Sequence, residues 1–401
     1  MTGCCRCHLP YSVDAFVPST TFRSALSTPT GSCRSRGPPE VRPVRHSSCS
    51  TPQEAADFVL HSFTHPSRSF PLSPDTRRLS PRRIAAAALL TGAVAVAGVV
   101  LTPGPAHAAT VTNVSTSAQL KTALGNAKPG DTIHLTDGTY TGKFEASSVG
   151  TGAAPITLTG SRAAVLTTGS TGSGYALHVT GGHWNLTGFR VDKAAKGIVL
   201  DDSDYTIISS VDVGHIGQEG VHVRHSSTNV VLRNSYVHDT GLTSASYGEG
   251  VYVGSANSNW SSVMGSSSSP DKSDNVLIQD NRIEDNPAEA IDIKEGTTGG
   301  RITGNTFRHS GYSGDNSADS WVDVKGNGYS VSGNSGSSTL EDAFQVHSVL
   351  SGWGGGNDFA GNTVTGGVPG YEVNNASKTA GNVVHCKTSG AGSGLTNKGC
   401  K

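Results

Sequence analysis

The sequence predicts an all-β protein, a single-stranded right-handed parallel β-helix (a solenoid) with a short N-terminal capping helix. Three observations carry that prediction. Short apolar runs recur with strict alternation, an Asn recurs between them at irregular intervals, and long helical periodicity is absent. A β-sandwich also has short strands and many turns, but it does not require an Asn at the same place in successive units.

Taken in chain order, residues 1–83 are rich in Ser, Pro and Arg and lack periodicity, a composition that buries no core. They read as a discarded leader or a mis-assigned start. The segment CCRCH at Cys4–His8 matches no zinc-ligand spacing. Residues 84–108 describe a secretory signal peptide. Arg82 and Arg83 precede the apolar run Ile84–Leu101, and Ala106-His107-Ala108 supplies an A-x-A cleavage site. The run is long enough to span a bilayer, yet its Ala/Gly content and the cleavage site favour export. The expected mature chain is therefore residues 109–401, a secreted, extracellular, monomeric β-helix domain with no membrane partner.

Of the seven cysteines only Cys386 and Cys400 fall in that segment, and an oxidising compartment pairs them. The formal net charge of -1 says nothing about partners, and no basic tract points to nucleic acid. Thr116 and Gln119 form a capping box that opens the one amphipathic helix, which ends at Gly125-Asn126.

The repeats then begin. Aligned apolar runs are Ile198-Val199-Leu200-Asp201, Val221-His222-Val223-Arg224, Val251-Tyr252-Val253-Gly254, Ile291-Asp292-Ile293-Lys294, Val322-Asp323-Val324-Lys325, Phe344-Gln345-Val346-His347 and Tyr371-Glu372-Val373-Asn374. First and third positions face inward, while second and fourth face out on one sheet. Asn234, Asn281, Asn305, Asn334, Asn362 and Asn382 mark a turn in each coil, where stacked amides form ladders.

Adjacent coils lie about 4.8 Å apart, so Asp292 is expected beside Asp323 and Lys294 beside Lys325. Like charges at that spacing repel by about 3 kcal/mol at an effective dielectric of 20, a cost that a walled groove must compensate. Glu219, Glu249 and Glu289 precede three successive runs, with Asp319 or Asp342 continuing the row. The excursion between Gly254 and Asp274 carries Trp260, and insertions of this kind map to the binding face.

The stretch Ala127–Gly160 resembles the opening of secreted β-helix polysaccharide lyases, in particular the chondroitinase B and alginate lyase family. In that family a Glu stands five residues before a catalytic Lys, and an Asn-Thr-Phe follows; Glu289, Lys294 and Asn305-Thr306-Phe307 fit that order. The family's next coil carries a catalytic Arg where this chain has Lys325. The resemblance implies an acidic polysaccharide substrate cleaved by β-elimination, and Ca²⁺ as cofactor.

Elimination needs a base for the C5 proton, positive charge for the developing enolate, and an acid for the leaving oxygen. The expected roles are Lys294 as base, its pKa lowered by Lys325 and partial burial, with Lys325 or Arg224 holding the substrate carboxylate. His222, Tyr252, His347 and Trp260 are the expected substrate contacts. Glu249, Glu289, Asp292 and Asp323 are the expected cation ligands. Two other functions fit the same residues. A β-helix glycoside hydrolase would pair Asp292, Asp323 or Asp319, and a non-catalytic carbohydrate-binding or surface protein would turn nothing over.

Overall fold

The computed structural model describes residues 107–401; the leader and most of the signal segment lie outside the described residues. The chain winds into a right-handed parallel β-helix. Each full coil contributes three strands, one to each of three sheets. One sheet has eleven strands and the other two have nine each, and every strand pairing within them is parallel. The repeated runs recognised in the sequence belong to one of the nine-stranded sheets. Strands of three to five residues in the other two sheets are too short to show alternation over a useful length.

The expected apolar column is present. Val221 lies beside Val251, then Ile291, Val322 and Phe344 follow in register, all of them fully buried. In the C-terminal coils Phe307, Trp321, Phe344 and Phe359 pack in the interior with ring centroids 5.9–6.3 Å apart. This spacing suits edge-on and tilted aromatic contact.

The Asn register needs two corrections. Asn281, Asn305, Asn334 and Asn362 do form one buried ladder. The Asn305 Oδ1 accepts from the Asn281 backbone N–H and side-chain amide at 3.0 Å each, and Asn334 and Asn362 repeat the contact. Asn234 is not in that ladder. Ser235 occupies the position, its N–H bonding Asn281 Oδ1 at 3.0 Å, while Asn234 sits one residue earlier at φ 50° on the surface. Asn382 belongs to a second ladder at another corner, accepting from the Asn357 N–H at 2.9 Å.

The helix spans Ser117–Asn126, with Gln119 N–H bonding Thr116 Oγ1 at 3.2 Å. The reciprocal arm of the box reaches one residue further back than expected, from Gln119 Oε1 to the Ser115 N–H at 2.9 Å. Leu120 and Leu124 bury against the first coil. At the other end Cys386 and Cys400 form a disulfide. No helix among the described residues is long and apolar enough to cross a membrane.

Candidate active site

The site is built on the outward face of the sheet whose strands carry the repeats. Parallel pairing without register shifts puts equivalent side chains in rows along the solenoid. The central row runs Val199, His222, Tyr252, Asp292, Asp323, Gln345. Two residues later on each coil come Asp201, Arg224, Gly254, Lys294, Lys325 and His347. Three residues earlier come Lys196, Glu219, Glu249, Glu289, Ser320 and Asp342. Ser320 thus holds the position between Glu289 and Asp342, and Asp319 stands just outside the row.

The stacked like charges are compensated by diagonal pairing. Lys294 Nζ is 2.5 Å from Asp292 Oδ2, and Lys325 Nζ reaches Asp292 Oδ1 at 2.8 Å and Asp323 Oδ2 at 2.6 Å. His347 Nδ1 closes the series on Asp323 Oδ1 at 2.9 Å. The charges therefore alternate from Lys294 to His347. Both lysines are only 9 % exposed, so this is a walled groove rather than a solvated face.

This pairing reverses one expectation. Burial alone lowers a lysine pKa, but the Asp292 carboxylate outweighs it and holds Lys294 above the usual range. Lys325 is raised likewise, against burial, by Asp292 and Asp323. Asp323 falls below the carboxylate range: burial pushes it up, but Lys325 and His347 outweigh that. The neighbouring lysine does not make Lys294 a stronger acid, because an intervening carboxylate contributes more than a second ammonium.

Glu249, Glu289 and Asp292 present oxygens within 4.8 Å of one another. Glu249 Oε2 is buried without a hydrogen-bond partner. Burial first, then the Asp292 and Glu219 charges, pushes the Glu249 carboxyl up to about 8. Glu289 is pushed well above its ordinary value by burial and by Asp292. Such a cluster either keeps protons at neutral pH or holds a cation. Asp323, expected as a fourth ligand, stands outside this group of converging oxygens.

Three cavities open along this face, two of them over the central row. One of about 290 Å³ is lined by Glu289, Asp292, Lys294, Lys325 and His347, with Asn257, Asn316 and Val349 on its loop walls. The other, about 280 Å³, is lined by Lys196, Glu219, His222, Arg224, Tyr247 and Tyr252. Tyr252 and Lys294 meet between them, with the ammonium 4.9 Å from the ring centroid. Arg224 is therefore separated from the two lysines. Its Nε and Nη2 bind Asp201 at 2.6 and 3.1 Å.

Trp260 lines neither cavity. It is 4 % exposed and donates its indole N–H to Ser255 O at 2.9 Å, anchoring the inserted loop from within. His222 is buried too. Its Nε2–H donates to Gly254 O at 3.0 Å, and its ring meets Tyr252 edge-on at 4.5 Å. Two residues that pattern reading passed over hold the loop walls. Asp271, fully buried, accepts from His225 N–H, Ser226 N–H, Ser255 Oγ and Ser273 Oγ at 2.7–3.0 Å. Glu295 accepts from Asn257 N–H at 2.6 Å. An acidic residue inside a Ser- and Asn-rich insertion is the sequence signal for Asp271; Glu295, directly after Lys294, carries none.

The family profile described as periplasmic copper-binding protein (NosD) matches residues 124–338, more than half of the chain. The crystal structure of alginate lyase from Paenibacillus sp. str. FPU-7 superposes with a TM-score of 0.67 at 38 % identity, over 72 % of this chain and 98 % of that one. The chain belongs to the NosD family and is a β-helix polysaccharide lyase. The pectate lyase Pel9A shares the fold at a TM-score of 0.51 and 15 % identity, over 70 % of the lyase and 79 % of Pel9A. No curated protein sequence matches the lyase.

Proposed function

We propose that this lyase cleaves a uronate polysaccharide by β-elimination across the Tyr252–Lys294 boundary, and that alginate is its polymer. The observation that carries the reading is the Lys294–Asp292–Lys325 series inside a walled groove. The 38 % identical relative, an alginate lyase, supports the choice of polymer. The signal segment at residues 84–108 supports secretion, which brings the lyase to such polymers outside the cell.

In this reading the C5–H bond breaks, the proton goes to Lys294, and the electron pair is held on the substrate carboxylate as an enolate. That pair then forms the C4–C5 double bond as the C4–O bond breaks, and the leaving oxygen takes a proton; no water is consumed. Lys325, clamped by two carboxylates, is a fixed cation for the substrate carboxylate as charge develops on it. Tyr252 is the proton donor. Burial, then the charges of Asp292 and Glu249, holds its phenol well above its ordinary value and so neutral. Lys294 is the C5 base. It becomes one only when the charge on Asp292 is neutralised, because that carboxylate keeps it an ammonium ion.

Glu249, Glu289 and Asp292 fit a hard divalent cation, since they converge, offer oxygen alone and leave Glu249 Oε2 unpartnered. When bound there, Ca²⁺ would supply positive charge against the substrate carboxylate and against Lys294. The donor set does not resemble the imidazole and sulfur sites that suit copper, so the copper in the family description is not carried to this groove.

The test is a panel of alginate, chondroitin, dermatan, pectate and glucuronan, each with and without EDTA. It is read by ultraviolet absorbance of unsaturated products and by reducing ends. Unsaturated products from alginate that require Lys294 support the reading. Reducing ends without unsaturation would move the chemistry to Asp292 and Asp323 as hydrolase carboxylates, and no turnover on any polymer would end it.

A further inference from the structure

At the N-terminal end of the solenoid, outside the groove, one carboxylate gathers the start of the described chain. Asp131 Oδ1 accepts from the Thr110 N–H at 2.9 Å, from Thr110 Oγ1 at 2.8 Å and from His107 Nε2 at 2.8 Å. Its Oδ2 accepts from the Lys128 N–H at 2.9 Å. Burial pushes this carboxyl up, but the bonds from His107, Thr110 and Lys128 outweigh that and hold it below the usual carboxylate range. Among the described residues its one ion-pair partner is His107.

His107 is a residue that export removes. Ala106-His107-Ala108 is the cleavage site, so a leader-processing peptidase takes His107 away and leaves Ala109 first. Hydrolysis of the Ala108–Ala109 peptide consumes one water. It leaves a carboxylate on Ala108 and frees an amine on Ala109 that is protonated at neutral pH. That ammonium group forms beside Asp131. Ala109 N stands one residue before the Thr110 N–H already bonded to Oδ1, and one residue spans about 3.8 Å. Ala109 is also held in place. Gly130 has φ 90°, and a Cβ there would lie 3.4 Å from Ala109 Cβ, while Thr110 O accepts from the Thr132 N–H at 2.8 Å. A cavity of about 660 Å³, lined by Thr110, Gln119, Lys128 and Asp131, gives the freed end room to turn toward the carboxylate.

We propose that Asp131 is a binding site for the α-ammonium group of Ala109, held by His107 before processing and by the new N-terminus after it. The exchange replaces one imidazole donor by an ammonium group with three. It fastens the edge strand Val111–Val114 to its neighbour Thr132–Leu135, so leader removal completes the N-terminal cap. The proposal rests on the export reading and is independent of the lyase chemistry.

An ammonium group paired in this way has its pKa raised above the unfolded value near 7.7–8.0, by about one unit, the low end of what an adjacent opposite charge does. Its contribution is present below the unfolded value and is lost as pH rises through the folded one. Once His107 is gone, Lys128 and Asp131 are the titratable groups lining the cavity; the Lys128 side chain is exposed, so solvent screens its opposing charge.

The experiment exports the full-length chain from a secreting bacterial host and labels the protein in the medium with a trace of acetic anhydride, from about pH 6 to about pH 10. Mass spectrometry of the N-terminal peptide identifies the first residue and measures labelling of its α-amine, in folded protein and in urea. The expected result is a chain that begins at Ala109, with an α-amine that titrates about one unit higher folded than unfolded, a tenfold change in proton affinity. Asp131→Asn keeps the shape and an acceptor for Thr110, and should return the folded value to the unfolded one. The wild-type shift is measured without any variant, so the test stands even if Asp131→Asn does not fold. A chain that begins elsewhere or keeps His107, an α-amine that titrates alike folded and unfolded, or a shift that survives in Asp131→Asn would each overturn the proposal. Activity on alginate enters none of these readouts, so failure of the lyase reading and failure of this site are told apart.

Discussion

Replacing Lys325 by Met removes the one cation shared by two buried carboxylates. Its Nζ lies 2.8 Å from Asp292 and 2.6 Å from Asp323, and both acids are 2 % exposed. Without it, two like charges remain on adjacent coils about 5 Å apart, which at an effective dielectric of 20 repel by roughly 3 kcal/mol. Breaking a buried pair by deleting one member typically costs about 3–5 kcal/mol, so the two routes agree. Lys294→Met should cost less, because Asp292 keeps Lys325.

The pH dependence follows from the directions of the shifts. Asp323 is depressed in the folded protein, so its contribution is present above its unfolded pKa near 3.9 and is lost as pH falls through the folded value. The gap between wild type and Lys325→Met should therefore be full at neutral pH and close in acid, as the two carboxylates protonate in the variant. The folded pKa of His347 is raised, first by its bond to Asp323. It offsets part of the loss while protonated, and the deficit should deepen as pH rises past that value. Urea midpoints between pH 4 and 8 measure this. A loss below about 1 kcal/mol with no pH dependence, the range of a solvent-screened surface pair, would refute the buried alternating series.

Three further outcomes are expected. Glu249→Gln should stabilise the cation-free lyase above pH 8. Holding that carboxyl protonated to about 8 against an ordinary 4.5 corresponds to a burden on the order of 5 kcal/mol once it ionises, and thermal melts with and without calcium measure the relief. The raised pKa means that this burden grows as pH rises from 4.5 through 8, so the benefit should vanish near pH 5. Asn305→Leu should cost about 2–4 kcal/mol, because it strands Asn281 and Asn334 amide groups in the interior; chemical denaturation checks it. Reducing Cys386–Cys400, which closes a separation of 14 residues, should remove about 3 kcal/mol in the chain-entropy picture, read as a lower melting temperature.

The solenoid was legible because alternation and coil spacing are properties of the backbone. Once Asp292 and Asp323 are placed on one sheet face, their adjacency follows with no side-chain information. What the lysines do from there was not legible. Whether Lys325 stacks on Lys294 or reaches diagonally to Asp292 depends on rotamers across a coil, and that choice turns an expected depression of the Lys294 pKa into an elevation. The burial of Lys294 depends on loop walls held by Asp271 and Glu295, acids with no repeat pattern. Asn234 misled by one residue because an αL turn and a ladder position favour the same amino acid; its neighbour Ser235 holds the ladder position. Arg224 aligned with the lysines in the repeat, yet two coils of solenoid place it in another cavity.

The central claim is that the groove eliminates rather than hydrolyses. Mass spectrometry of the oligosaccharides released from alginate tests it most directly, because an elimination product with its new double bond is one water lighter than the hydrolytic product of the same length. The account predicts that wild type yields the lighter series and that Lys294→Ala, shown folded by its melt, yields none. Release of the heavier, water-containing series, or a Lys294→Ala variant with near-normal yield of the lighter one, would contradict it.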